Sequence, residues 1–279
     1  MLERLVCGGH FIFDVDGCLA LGATPGGQGG GAIPGAAELL AELKQRGARI
    51  VCMTNGSGRP PESYAAGLRD HGLPVADGEM LTPPAVAAEH LARDRTGATV
   101  MVLGGDGVTL PLERAGVALV APGAGARADV VLAGPVATLD AAAIQAAAAA
   151  VWAGAELLVT SYVPAIPVRG GRVASMSAAV GAALAHVTGV VPTVVGKPSP
   201  LVADVAAARM GCAVGELVVV GDDPALEVAL GRAVGARTVL VLSGIVGEED
   251  LAGLPELHRP DAVVRDVGDL LAALRAAPC

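Results

Sequence analysis

An apolar run, Phe11-Ile12-Phe13, ends in two carboxylates one residue apart, Asp14 and Asp16, with Gly17 directly behind them. Apolar runs of this kind read as buried parallel strands. In open α/β sheets the chemistry gathers just beyond the carboxyl ends of the strands. Asp14 therefore falls at a strand tip, and Asp16, two residues on, points to the same side. Gly17 permits a sharp turn over both. Two carboxylates so placed suit a divalent cation, or a nucleophile with an acid/base partner. A plain strand followed by an Asp-Gly turn has the same pattern, so the rest of the chain must decide.

A length of 279 residues accommodates two ordinary domains. Residues of apolar type make up 53%, enough for a large core, although aromatics are only 2%. The formal charge is −9 and no Lys/Arg block occurs, which argues against nucleic acid and anionic membranes as partners. A metal ion held by carboxylates fits this balance better. Cys7, Cys18, Cys52, Cys212 and Cys279 show no paired spacing. With no basic segment and apolar run at the N-terminus, reduced thiols and a cytoplasmic location are expected. The Ala-rich stretch from Ala141 to Ala155 is too short and mild to span a bilayer and reads as a helix.

Taken in order, residues 5–14 read as the first strand. The glycine-rich segment from Gly22 to Gly31 reads as a mobile loop, and Pro34 starts a helix that buries Leu39, Leu40 and Leu43. Ile50-Val51-Cys52-Met53 is the second strand and runs into Thr54-Asn55-Gly56-Ser57. A helix follows near Glu62 to Asp70, and Thr82-Pro83 reads as the N-cap and first position of another. Strands are expected at 99–103, 117–120, 129–132 and 156–160, with a helix from Leu139 to Ala153. The alternation resumes after Pro192: a short strand before Gly196-Lys197-Pro198, a helix from Leu201 to Met210, and a strand at Leu217–Val220. A helix is expected from Pro224 to Val234, strands at 238–242 and 262–264, and a closing helix. Tyr64 and Trp152 read as core; His10, His71, His90, His186 and His258 are isolated in sequence, and each reads as a surface or packing histidine rather than a ligand.

Three more polar tips join the first. Thr54-Asn55 offers a hydroxyl and backbone N–H groups to a phosphate, or caps the next helix. Lys197 is a lone cation that suits a phosphate oxygen, or is a surface lysine. Asp222, with Asp223 and Glu227, completes an oxygen site for Mg²⁺ or caps a helix N-terminus. A parallel sheet brings all four tips to one edge. Cys18, two residues past Asp16, reads as a small apolar filler rather than an oxidation switch. Gly104-Gly105-Asp106-Gly107 lacks the full GxGxxG spacing of a dinucleotide loop.

In order and spacing these stretches resemble the haloacid dehalogenase superfamily, class IIA, the NagD-like or p-nitrophenylphosphatase-like branch. The motifs that carry the resemblance are Asp14-Val15-Asp16-Gly17, Ile33-Pro34-Gly35-Ala36, Thr54-Asn55-Gly56-Ser57-Gly58-Arg59, Gly196-Lys197-Pro198-Ser199-Pro200, Gly221-Asp222 and Leu240-Val241-Leu242-Ser243-Gly244. The resemblance implies a Rossmann-like doubly wound α/β core, residues 1–81 and 191–279, interrupted by an α/β cap at 82–190. It implies a Mg²⁺-dependent phosphatase for small phosphorylated metabolites. Asp14 would be the nucleophile, Asp16 the acid/base, and Thr54, Asn55 and Lys197 the phosphate ligands. Asp14, the Asp16 carbonyl and Asp222 would hold the metal, with Asp223 and Glu227 behind them. A homodimer through the cap is also implied.

The chain departs from the class pattern at three places. The cap stretch T-N-x-D reads Thr160-Ser161-Tyr162-Val163, so Tyr162 and Val163 stand where substrate contacts are expected. The second acid of the last motif is Glu227 instead of Asp, a longer carboxylate that can still bind a metal-bound water. Ser175-Met176-Ser177-Ala178 replaces a glycine-rich stretch. A degenerate member that only binds a phosphorylated metabolite, and a phosphoryl transferase, are the competing readings.

Overall fold

The computed structural model describes residues 5, 7, 9–22, 30–168 and 171–277. The chain divides into two compact units. The first comprises Met1–Thr54, Glu62–Leu81 and Lys197–Cys279; the second comprises Asn55–Pro61 and Thr82–Gly196. Residues 23–29 of the glycine-rich segment lie outside the described residues.

The first unit begins with β1 (His10–Asp14), shorter than the expected 5–14. A two-residue hairpin, β2 (Ala20–Leu21) and β3 (Gly31–Ala32), follows. Helix α1 (Ala36–Gln45) places Leu39, Leu40 and Leu43 inward, as their spacing predicts. Then come β4 (Arg49–Met53), α2 (Pro61–Asp70) and β5 (Met80–Leu81).

The second unit is a parallel sheet of its own. Its strands are β6 (Thr99–Leu103), β7 (Ala118–Val120), β8 (Val130–Ala133), β9 (Glu156–Val159) and, after a hairpin, β12 (Thr193–Val194), in the spatial order β12-β9-β8-β6-β7. The antiparallel hairpin pairs β10 (Ala165–Val168) with β11 (Gly171–Ala174). Because Thr193 and Val194 pair with Leu158 and Val159, this unit reaches Gly196. Its helices are α3 (Pro83–Asp94), α4 (Asp106–Arg114), α5 (Ala141–Trp152) and α6 (Met176–Thr188). Thr82 does precede α3, yet its side chain makes no capping bond and its buried hydroxyl has no partner. Trp152, expected in the core, is 59% exposed at the end of α5, whose buried side is lined by Ala147, Ala150 and Val151. Among the described residues, no helix is long and apolar enough to cross a membrane.

The first unit resumes with α7 (Pro200–Met210), β13 (Leu217–Gly221), α8 (Ala229–Val234), β14 (Arg237–Val241), β15 (Ala262–Val264) and α9 (Val267–Ala276). Its six strands are all parallel, in the order β15-β14-β13-β1-β4-β5. Helices cover both faces: α1 and α9 pack together on one, and α7 and α8 lie on the other. This explains the uninterrupted apolar runs, because every strand residue meets a helix whichever way it points. β1 sits in the interior of the sheet, between β13 and β4. Cys18, Cys52 and Cys212 are free thiols, but Cys7 is disulfide-bonded, contrary to the expectation that every cysteine is reduced.

The chain contains only two phenylalanines, and they stack on the same face of β1 with ring centroids 5.6 Å apart. Both are at most 1% exposed and anchor the cluster formed with Leu39, Leu40, Val218 and Val220. By volume the two rings are the largest fully buried side chains among the described residues. Phe11→Ala is therefore expected to lower stability by about 3–5 kcal/mol in urea unfolding. A loss under about 1 kcal/mol would show that the face re-packs around the gap.

Candidate active site at the carboxyl edge of the core sheet

Asp14 ends β1 and is 5% exposed. Asp222 directly follows β13, the strand beside it, and is equally buried. Lys197, at the start of the returning core segment, is 3% exposed and forms an ion pair with Asp14 Oδ1. The same ammonium lies 2.7 Å from Glu227 Oε1 and donates to the Met53 carbonyl at 3.3 Å. Carboxylate oxygens of Asp14, Asp222 and Glu227 all lie within 4.8 Å of one another.

Glu227 reaches this cluster through local backbone geometry. Pro224–Val228 is a π-turn, where a plain helix was expected, and Glu227 points inward from it, 1% exposed. Its Oε2 accepts from the Asp223 N–H at 2.9 Å, which fixes the carboxylate against Lys197. Asp223 itself caps the turn by accepting from the Ala225 N–H at 2.8 Å. Glu227 thus lies beside Asp14 and Asp222 and also faces the Lys197 ammonium.

Two glycines make room for Asp222. Gly17 has φ +86°, and a Cβ there would stand 2.4 Å from Asp222 Oδ2. A Cβ at Gly244 would stand 1.8 Å from the same oxygen. That oxygen accepts from the Ile245 N–H at 3.1 Å, and Ser243 Oγ donates to the Gly17 carbonyl at 2.6 Å. The Ser243-Gly244 stretch beyond β14 thus closes one wall around Asp222.

Asp16 is half-buried, just past β1, and its Oδ2 accepts from the Thr54 hydroxyl at 3.2 Å. Asn55, which follows Thr54, lies against Gly196: a Cβ at Gly196 would be 2.6 Å from Asn55 Oδ1. Asp14, Asp16, Thr54, Lys197, Asp222, Asp223 and Glu227 thus belong to the first unit, whereas Asn55, Tyr162 and Val163 are counted with the second. Tyr162 is 41% exposed after β9. Thr160, at the start of that stretch, donates to Ser177 Oγ at 2.9 Å, and Ser175 caps α6, so the two serines of the altered cap segment serve packing and capping. Asp106 opens α4, which makes Gly104-Gly105 a strand-to-helix turn. Cys18 is fully buried against the Val220 carbonyl, its thiol pushed well up by burial and then by the Asp14 charge.

Three buried carboxylates face one buried ammonium. At an effective dielectric near 20, each like-charge pair at such a separation costs on the order of 3–4 kcal/mol. Burial first, and then the neighbouring acids, hold Asp14 well above the ordinary carboxylate range against the pull of Lys197. Asp222 is pushed up to about 7, again by burial first and Glu227 second. Burial alone would discharge Lys197, but Asp14 and Glu227 more than offset it and hold its pKa above the normal lysine value. The excess negative charge and the clustered hard oxygen donors of Asp14, Asp222 and Glu227 fit a small divalent cation such as Mg²⁺.

Residues 11–118 match the family model for haloacid dehalogenase-like hydrolases, and residues 194–270 match a second described as HAD-hydrolase-like. Chronophin from Bos taurus is 30% identical, over 94% of this chain and 92% of its own length. The solved p-nitrophenyl phosphatase of Archaeoglobus fulgidus has a TM-score of 0.84 and 30% identity, covering 96% of this chain and 99% of that one. The glycerol phosphate phosphatase of Mycobacterium tuberculosis, solved in complex with magnesium, has a TM-score of 0.81 and 26% identity, covering 96% of this chain and 77% of that one. The chain belongs to the haloacid dehalogenase-like hydrolases, on their class IIA branch of phosphatases.

Proposed function

We propose that the chain hydrolyses small phosphomonoesters with Mg²⁺ through an aspartyl-phosphate on Asp14. The observation that carries this reading is the buried Asp14–Lys197–Glu227 arrangement beside Asp222 at one strand edge. A solvated face would not hold such a cluster, and burying it unpaired is costly.

In this mechanism an Asp14 carboxylate oxygen attacks phosphorus in line with the leaving oxygen. The bond from phosphorus to the alcohol oxygen breaks as Asp16 hands that oxygen a proton. The Thr54 hydroxyl, 3.2 Å from Asp16 Oδ2, orients that carboxyl. Asp16, now a carboxylate, takes a proton from water; the water oxygen attacks phosphorus, inorganic phosphate leaves, and Asp14 is restored. Lys197, with Thr54, holds the phosphoryl oxygens. Glu227 keeps the lysine aimed at Asp14 when phosphate is absent. The bound Mg²⁺ would offset the charge between carboxylate and phosphate, held by Asp14, Asp222 and the Asp16 carbonyl. Dihydroxyacetone phosphatase and acid sugar phosphatases among the curated relatives make phosphorylated small metabolites the first panel to test.

The direct test is phosphate release from a panel of phosphomonoesters, with Mg²⁺ and with chelator. Turnover should require Mg²⁺ and vanish in Asp14→Asn, a variant that keeps the Lys197–Glu227 pair and should fold. Finding no turnover on any ester while Mg²⁺ binds would overturn the reading. Asp16→Asn should lower kcat by about 10²–10⁴-fold. Rapid-quench labelling should then show phosphate held on the protein if the second step is the slower one. Lys197→Met is a poorer probe, since it leaves three buried carboxylates without a cation; its expected signature is a lowered Tm that Mg²⁺ partly restores.

A further inference from the structure

We propose a second cation site, for Zn²⁺ or a similar borderline divalent metal, at the opposite end of the core sheet, formed by His10, Cys212 and Glu216. It lies apart from the reaction described above and does not depend on it. His10 is the first residue of β1 and Asp14 the last, so about 13 Å of strand separates the two sites, at ~3.3 Å per residue.

His10 is over 200 residues from Cys212 and Glu216, which lie four residues apart, and sheet register brings it to them. His10 pairs with Leu217 across the β1–β13 ladder. Glu216 is the residue before Leu217, in the single 3-10 turn Val214–Glu216. Cys212 follows the left-handed Gly211 that ends α7. A ring nitrogen of His10, Cys212 Sγ and a Glu216 carboxylate oxygen consequently all lie within 4.8 Å of one another. Glu216 accepts from the Ala213 N–H through Oε2, at 2.8 Å, so its carboxylate is already oriented, and a metal can take the other oxygen.

The donor set selects the metal. Thiolate, imidazole and carboxylate together suit Zn²⁺, while Mg²⁺ prefers oxygen alone. Tetrahedral Zn²⁺ with bonds of about 2.0–2.3 Å places its donors roughly 3.3–3.8 Å apart. Closing the triad by about 1 Å is within reach of side chains that are half-buried or exposed. The nearby Arg49 guanidinium, which donates to the Met210 carbonyl at 2.7 Å, opposes a cation, but two anionic ligands outweigh it. Glu216 is exposed, so water can supply a fourth ligand. Such a site would tie the start of β1 to the connection that leads into β13.

Cobalt titration of the full chain tests this, in non-reducing buffer with saturating Mg²⁺ over the carboxylate edge. We expect one equivalent to give a near-ultraviolet thiolate-to-cobalt charge-transfer band, displaced by Zn²⁺. The band should be lost in Cys212→Ser, weakened in His10→Gln and unchanged in Asp14→Asn. Zn²⁺ should raise the Tm of the native chain and not that of Cys212→Ser, whose phosphate release should stay at the native level. No band, a band that survives Cys212→Ser, or one lost in Asp14→Asn would overturn the assignment, the last two by placing cobalt on another thiol or at the catalytic edge.

Discussion

The ion pair between Lys197 and Asp14, with Glu227 on the other side of the ammonium, is the interaction around which the core unit is built. Burying one positive and three negative charges is expensive, and only exact local geometry keeps it tolerable. The parallel sheet supplies that geometry. β1 and β13 are neighbours, so their tips deliver Asp14 and Asp222 side by side, while the π-turn after β13 turns Glu227 back toward the lysine. The remaining imbalance of charge suits a divalent cation. The stability of the edge and its chemistry are thus coupled: an arrangement too negative to be comfortable alone is suited to receive a metal and a phosphate together.

This edge also explains why the core strands are apolar throughout and polar only at their ends. Helices on both faces leave no solvent-facing row, so charge can leave the sheet only at the tips. The two phenylalanines of β1 stiffen the strand that ends in Asp14. A rigid strand holds a carboxylate better than a loop would, and attack on phosphorus tolerates little misplacement.

Much of this was legible in the sequence, for physical reasons. Strands 99–103 and 262–264 coincide with their apolar runs, and α7 differs from expectation by one residue, because Pro200 and Gly211 punctuate it plainly. The polar tips were readable because each interrupts an apolar run. Other features carried no local signal. Helix α4 contains Pro111, which argues against a helix interior, and it is held by packing against α3 instead. The β10–β11 hairpin carries little alternation to mark it. Trp152 is large and apolar, yet only its position on α5 decides that it faces outward. The partner of Glu227 was hidden because a single inserted residue in a turn rotates a side chain, and no spacing rule shows it. The Lys197–Glu227 pair spans 30 positions of sequence and the His10 cluster over 200, and only the folded chain makes either visible.

The two glycines around Asp222 have a consequence for how this protein can change over generations. Neither offers a side chain to any chemical step, yet each occupies space that a single methyl group would take from the Asp222 carboxylate. In a survey of all substitutions they would look as intolerant as the acids themselves. Heritable variation in what the enzyme accepts must therefore arise elsewhere in the chain, leaving this edge as a fixed frame while other segments drift.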